Sequence, residues 1–230
     1  LQAIDENIWV VETQYDIIPG GPFKFPDTMT IVRLGDGGLL LVNPVELTDA
    51  IGRLLAEVGE VTHVVTQTTF HYRFLGDYQE AFATAKLIGT PAQQQKPEVQ
   101  HIRFDGYLQD DKPIAHDAIT QVTFSGHAFD ETALVHHDSK TLMVTDLALN
   151  GRAPVSTFFN FYAWLWGVHG CCGCPHYHRQ MVMDKPAAVA SMQRILALDF
   201  ERIVFGHGHP VHENAKPLFE KMWTEVFDAC

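Results

Sequence analysis

Ile203-Val204-Phe205-Gly206-His207-Gly208-His209 sets a histidine directly after a short apolar run, where a strand ends and a loop begins. Two earlier stretches have the same grammar. Ser125-Gly126-His127 follows the run Ile119 to Phe124, and Asp146 follows Thr141-Leu142-Met143-Val144-Thr145. Strand ends hold side chains rigidly yet leave them open to solvent, which suits a metal or catalytic site. Three such ends, far apart in sequence, point to one converging site.

Working outward, Ile8 to Tyr15 reads as a strand. Met29 to Leu34 and Leu39 to Val42 read as two more, joined by the turn Gly35-Asp36-Gly37-Gly38. Thr48 caps a helix running to about Glu57, with Ile51, Leu54 and Leu55 on one face. Val61 to Thr66 is a buried strand, followed by a polar and aromatic loop from Gln67 to Gly76. A helix from about Asp77 to Ala85 leads to a strand at Lys86 to Gly89. The second half repeats the alternation. Strands are expected at Ile119 to Phe124, Ala133 to His137 and Thr141 to Thr145, with His136-His137 at a solvated hairpin tip. Asp184 caps a helix to about Leu198, Arg202 to Phe205 is a strand, and Asn214 to Phe227 closes the chain as a helix. Strands mixed with helices in both halves, and no linker composition between them, predict a single α/β domain over residues 1–230. Two mixed sheets between helices is the natural architecture.

The strand-end residues resemble the metallo-β-lactamase superfamily, an αββα sandwich with its metals along the edge between the sheets. Gly126-His127, Thr145-Asp146 and Gly206-His207-Gly208 match its later ligand positions in order. Its His-x-His-x-Asp-His motif is expected near Thr66. There the chain reads Gln67-Thr68-Thr69-Phe70-His71-Tyr72-Arg73, so Gln67 and Thr69 stand where the His-x-His pair would, and His71 and Tyr72 follow. The resemblance is to a divergent branch with a degenerate motif. It implies a reduced, mononuclear site with His71, His127, Asp146 and His207 as ligands to one divalent metal, zinc ahead of iron. A metal-free chain in which His127 only hydrogen-bonds Asp146 has the same sequence signature.

On this reading Asp146 ligates or orients a water and Tyr72 stabilises an oxyanion. Gln67, Trp164, Trp166 and His209 are the candidate substrate contacts. The reaction expected is hydrolysis of a small, partly apolar ester, lactone or thioester. Two alternatives are an iron oxygenase acting on a thiol or persulfide, and a non-catalytic binding protein on the same fold.

Residues 150–179 read as an insert. Phe158-Phe159-Asn160-Phe161-Tyr162-Ala163-Trp164-Leu165-Trp166 is too aromatic for a solvent loop. It predicts a helix on the sheet edge, a homodimer contact, or a wall over the site. Cys171, Cys172, Cys174, His176 and His178 crowd together behind it, as a second metal or redox site or as a tight buried turn.

Composition sets the bounds. The 230 residues are 46% hydrophobic and 19% charged, with a formal net charge of −12. Such a surface repels phosphate backbones, so a small-molecule substrate is expected and nucleic acid is not. No apolar run reaches bilayer-spanning length, so no membrane partner is expected. The chain begins Leu1-Gln2, which leaves room for a removed targeting segment, and the cytoplasm is the default compartment.

Overall fold

The computed structural model describes residues 1–230 except 111, 116–117 and 153–155; that last stretch of the expected insert therefore lies outside the described residues. The first sheet runs β1 (Gln2–Asp5), β2 (Ile8–Asp16), β3 (Lys24–Arg33), β4 (Leu39–Val42), β5 (Val61–Val65), β6 (Lys86–Gly89) and β7 (Gly106–Tyr107), in that spatial order. Its first four strands are antiparallel and its last four parallel. The parallel half needs three crossovers; α1 (Asp49–Val58) and α2 (Leu75–Ala81) provide two, and the 3-10 turns Pro91–Gln95 and Pro97–Val99 lie on the third. The second sheet has β8 (Ile119–Thr123), β9 (Thr132–His136), β10 (Thr141–Val144) and, parallel to β10, β13 (Arg202–Phe205). A small pair, β11 (Leu149–Asn150) and β12 (Cys172–Gly173), lies apart. The remaining helices are α3 (Thr157–Leu165), α4 (His178–Met181), α5 (Lys185–Ala197) and α6 (Ala215–Asp228).

The layers follow from which faces are apolar. Every residue of β4 is buried. Leu39 and Leu41 face Ile51 and Leu55 of α1, whereas Leu40 and Val42 turn towards Leu134, Met143 and Val204 of the second sheet. An unbroken apolar run is what a strand covered on both faces requires. On the far side, Leu142, Val144, Ile203 and Phe205 meet Ile195 of α5 and Phe219 and Trp223 of α6. The result is the expected α/β sandwich, two mixed sheets flanked by helices.

Three boundaries differ from expectation. β1 was not foreseen; it is a four-residue edge strand with only Ile4 buried. α2 starts at Leu75 because Leu75 and Tyr78 are its buried pair, one helical turn apart. β3 begins at Lys24 rather than Met29. Its added segment pairs only with β2, since β4 reaches no further than Thr30, so Pro26 costs no ladder bond on the open side. His136, expected at a solvated tip, is buried with Nδ1 2.7 Å from Ser139 Oγ. The aromatic helix α3 is capped by Ser156, whose hydroxyl also bonds Lys24 O at 2.6 Å. It lies on β3, with Phe159 and Tyr162 edge-on to Phe25.

Candidate metal centre

The parallel register of β10 and β13 pairs Thr141 with Arg202 and Val144 with Phe205. Two residues further on, Asp146 stands level with His207, and Asp146 Oδ1 lies 3.2 Å from His207 Nε2. Gly206 and Gly208 make that approach feasible. A Cβ on Gly206 would meet Thr145 Cγ2 at 2.5 Å; one on Gly208, whose φ is +101°, would meet Asn150 O at 2.2 Å. His207 Nδ1 lies 2.8 Å from the Pro26 carbonyl, to which it donates, leaving Nε2 for a ligand. From the first sheet the loop after β5 delivers His71, whose Nε2 is 3.6 Å from Asp146 Oδ1. One ligand atom from each of His71, Asp146 and His207 lies within 4.8 Å of the other two, the only such group of three among the described residues.

Asp146 is held from behind. Its Oδ2 accepts from Thr68 Oγ1 at 3.1 Å. Its backbone turn is clamped by Glu131, whose carboxylate accepts from the N–H groups of Thr145, Asp146 and Leu147 at 2.6, 2.7 and 3.0 Å. Burial and neighbouring Asp146 push the Glu131 carboxyl upward, against the pull of those donors. Burial alone would raise Asp146, but the charges and hydrogen bonds of His71 and His207 outweigh it and hold that carboxyl below its usual range. His207 behaves reciprocally: burial lowers it, the Asp146 bond and charge raise it more, and the net shift is upward.

A third carboxylate belongs to the site and was not foreseen. Asp27, on the added segment of β3, is 4% exposed, and its Oδ1 has no hydrogen-bond partner. Burial raises its carboxyl, while the charges of His71 and His207 act to lower it. Among the described residues, none of Asp27, Glu131 and Asp146 pairs with a lysine or arginine. Two imidazoles, converging carboxylates and an orphaned buried oxygen are a donor set short of positive charge, which suits a divalent ion. His71 and Asp27 open onto a cleft of about 90 Å³ walled by Tyr15, Pro44, Phe70, Arg73 and Phe74. Burial, then Asp27 and Asp146, push the Tyr15 phenol up to about 12, so it remains a donor at neutral pH.

The other expected site residues lie elsewhere. His127 is not in the group of three. Its Nε2 is 3.1 Å from His178 Nδ1, its ring stacks on His178, and its Nδ1 accepts from Phe129 N. Burial lowers His127 to about 4 and His178 to about 3, so both rings are neutral. Gln67 does not face substrate. Its amide donates to Thr132 O and Met143 O at 2.9 and 2.8 Å, and its oxygen accepts from Asn43 Nδ2 and Thr145 Oγ1, which uses the whole side chain as a tie between the sheets. Tyr72 packs against the α1–α2 core with Lys96 Nζ 4.2 Å above its ring, so Tyr15 is the phenol at the cleft. Trp164 is 66% exposed, and Trp166 meets Tyr177 edge-on; neither walls that cleft. His209 pairs with Glu12 at 2.6 Å beside a second groove that also reaches Asp27.

The cysteines and their neighbouring histidines do not form a second group of three converging ligands among the described residues. Cys172 and Cys174 are in the core with Trp223, Cys174 donates to Leu147 O, Cys171 faces solvent, and His176 sits against Gly167. Alternation about β12 sends Cys172 and Cys174 to the core and leaves Cys171 on the surface. Burial raises Cys172 to about 11 and Cys174 well above the ordinary thiol value, so neither is a ready thiolate.

Sequence signals for Glu131 and Asp27 were thin. Glu131 is one acid in the polar stretch Asp130-Glu131-Thr132, and Asp27 follows a proline in a stretch without alternation.

Residues 5–161 match the family model described as "Domain of unknown function (DUF4336)", and the chain belongs to that family. No curated protein matches the sequence. Solved structures share its fold over nearly the whole length. A metallo-β-lactamase from Pontibacter korlensis is 12% identical with a TM-score of 0.66, covering 99% of this chain and 97% of that one. The DIM-1 metallo-β-lactamase exposed to ceftazidime is 14% identical with a TM-score of 0.68, covering 100% and 96%. The mono-zinc form of FIM-1 from Pseudomonas aeruginosa is 12% identical with a TM-score of 0.65, covering 98% and 95%. The fold is that of the metallo-β-lactamases.

Proposed function

For this DUF4336 chain on a metallo-β-lactamase scaffold, we propose a metal-dependent hydrolase of a small, partly apolar substrate of ester, lactone or thioester type. One observation carries the reading: His71, Asp146 and His207 converge from both sheets to within 4.8 Å beside a solvent-open cleft. These three residues would hold one divalent ion, zinc ahead of iron. Such an ion polarises a carbonyl and brings a water's pKa towards neutrality.

The chain's own residues do the rest. Glu131 and Thr68 fix Asp146, and Pro26 fixes the tautomer of His207. Tyr15 donates to the oxygen on which charge develops. Phe70, Phe74 and Pro44 receive the apolar part of the substrate. The oxygenase alternative shares the two-histidine, one-carboxylate donor set, but the thiol-rich insert lends it nothing, because Cys172 and Cys174 lie in the core.

The test is elemental analysis of protein purified without added metal, followed by a panel of chromogenic esters, lactones and thioesters. The expected result is about one zinc per chain, hydrolysis lost on chelation and restored by zinc, and both removed by His207→Ala. A chain that takes up no ion, or hydrolyses nothing when loaded, overturns the proposal.

A further inference from the structure

The loop from Gln67 to Gly76 contains no carboxylate. Any acidic group that orients an attacking water must therefore come from elsewhere in the fold. Three carboxylates belong to the site, Asp146 within the metal-binding group and Glu131 and Asp27 beside it. Asp146 is spent on His71, His207 and Thr68. Glu131 is spent on three backbone N–H groups. Only Asp27 keeps an uncommitted oxygen, Oδ1, buried and without a partner. Its strand is tied to the site by the bond between Pro26 O and His207 Nδ1. It shares the cleft wall with His71 but does not belong to the group close enough to share one ion. A buried acceptor set one step back from the ligands is placed for a hydrogen-bond donor between it and the ion. In a hydrolase that donor is water.

We propose that Asp27 is a catalytic residue whose Oδ1 accepts a hydrogen bond from the attacking water in the open position beside His71, Asp146 and His207. Strand β3 thus supplies the carboxylate that the loop lacks. The inference rests on the hydrolase reading above. It also explains why β3 continues past Met29 to Lys24: without that extension Asp27 would not reach the cleft.

A negative charge facing the open position favours a hydrogen-bond donor there and repels a competing anion. The experiment loads the full chain with cobalt(II) and follows azide binding by visible absorption in wild type, Asp27→Asn, Asp27→Ser and His207→Ala. Cobalt affinity is expected to stay within about threefold in both Asp27 variants, with azide binding at least about tenfold tighter, the effect of roughly 1.4 kcal/mol of removed repulsion. In the zinc-loaded chain the same variants lower kcat at little-changed KM. Unchanged azide affinity in a folded Asp27 variant shows that Asp27 does not face the open position and overturns the inference. Loss of cobalt as complete as in His207→Ala makes Asp27 a ligand and overturns it too. Failure of wild type to bind cobalt at one per chain is a different result: it removes the metal reading itself, and the inference with it. Asp27→Ser supplies the readout if Asp27→Asn does not fold.

Discussion

Asp146 and His207 stand at the same level of the parallel pair β10–β13, each two residues past its strand, with Oδ1 and Nε2 3.2 Å apart. The contact is set by strand register rather than by loop conformation. Its geometry therefore survives changes in the surrounding loops, and its loss requires disturbing the strands or the groups that hold the two side chains.

The metal-binding group joins the sheets, with His71 from the first and Asp146 and His207 from the second. An ion held there should stabilise the fold by mass action, about 2.7 kcal/mol when free zinc is a hundred times its Kd. Thermal melts across a zinc series should show the midpoint rising with concentration in wild type and flat in His207→Ala. A midpoint insensitive to zinc in wild type contradicts the site.

Glu131→Gln should be among the most damaging conservative changes. The amide nitrogen of the new side chain would face N–H donors that now meet a carboxylate oxygen, at a cost of about 2–4 kcal/mol. Urea unfolding checks the stability. Zinc affinity should fall as well, because the turn that aims Asp146 loses its clamp.

Asp27→Asn should act in the opposite direction on the metal-free chain. Removing the charge of a buried carboxylate with one unpartnered oxygen is expected to leave stability unchanged or raise it by about 1 kcal/mol, judged by the same urea titration. A stabilised variant with reduced turnover would mark a group kept for function at the expense of the fold.

The imidazole pair gives a pH signature. His127 and His178 are lowered in the folded state to about 4 and about 3, below the unfolded value near 6.5. Between those limits the unfolded chain binds more protons, so this pair's contribution weakens as pH falls from about 6.5 to 4. His178→Phe removes one of the two. The stability of wild type relative to His178→Phe should therefore decline steadily over that window, as followed by urea midpoints at pH 7, 6, 5 and 4. A constant difference would mean the rings are not buried neutral.

Strand ends told most of what the sequence could tell. Apolar runs closed by Asp146 and by Gly206-His207-Gly208 are local patterns, and the register that joins them follows from the fold class. His127 follows a run of the same kind, yet its neighbour His178 comes from α4 fifty-one residues later, and no local pattern announces that stacking. Asp27 was hidden for another reason: Pro26 breaks the strand signal, though at the open side of β3 it breaks no hydrogen bond. Tyr15 and Tyr72 are both tyrosines beside aromatic neighbours, and only the sheet-to-helix packing decides which one meets the cleft. The cysteines look like a ligand cluster in sequence, but Cys172 and Cys174 serve as buried core residues while Cys171 faces solvent.

Gln67 is a position that a histidine could not fill. Its amide now bridges Thr132 O and Met143 O and meets Asn43 and Thr145, where an imidazole has neither the reach nor the donors. A histidine at that position would leave the buried carbonyls of Thr132 and Met143 unpaired, at about 1–3 kcal/mol for each, whatever ligand it offered.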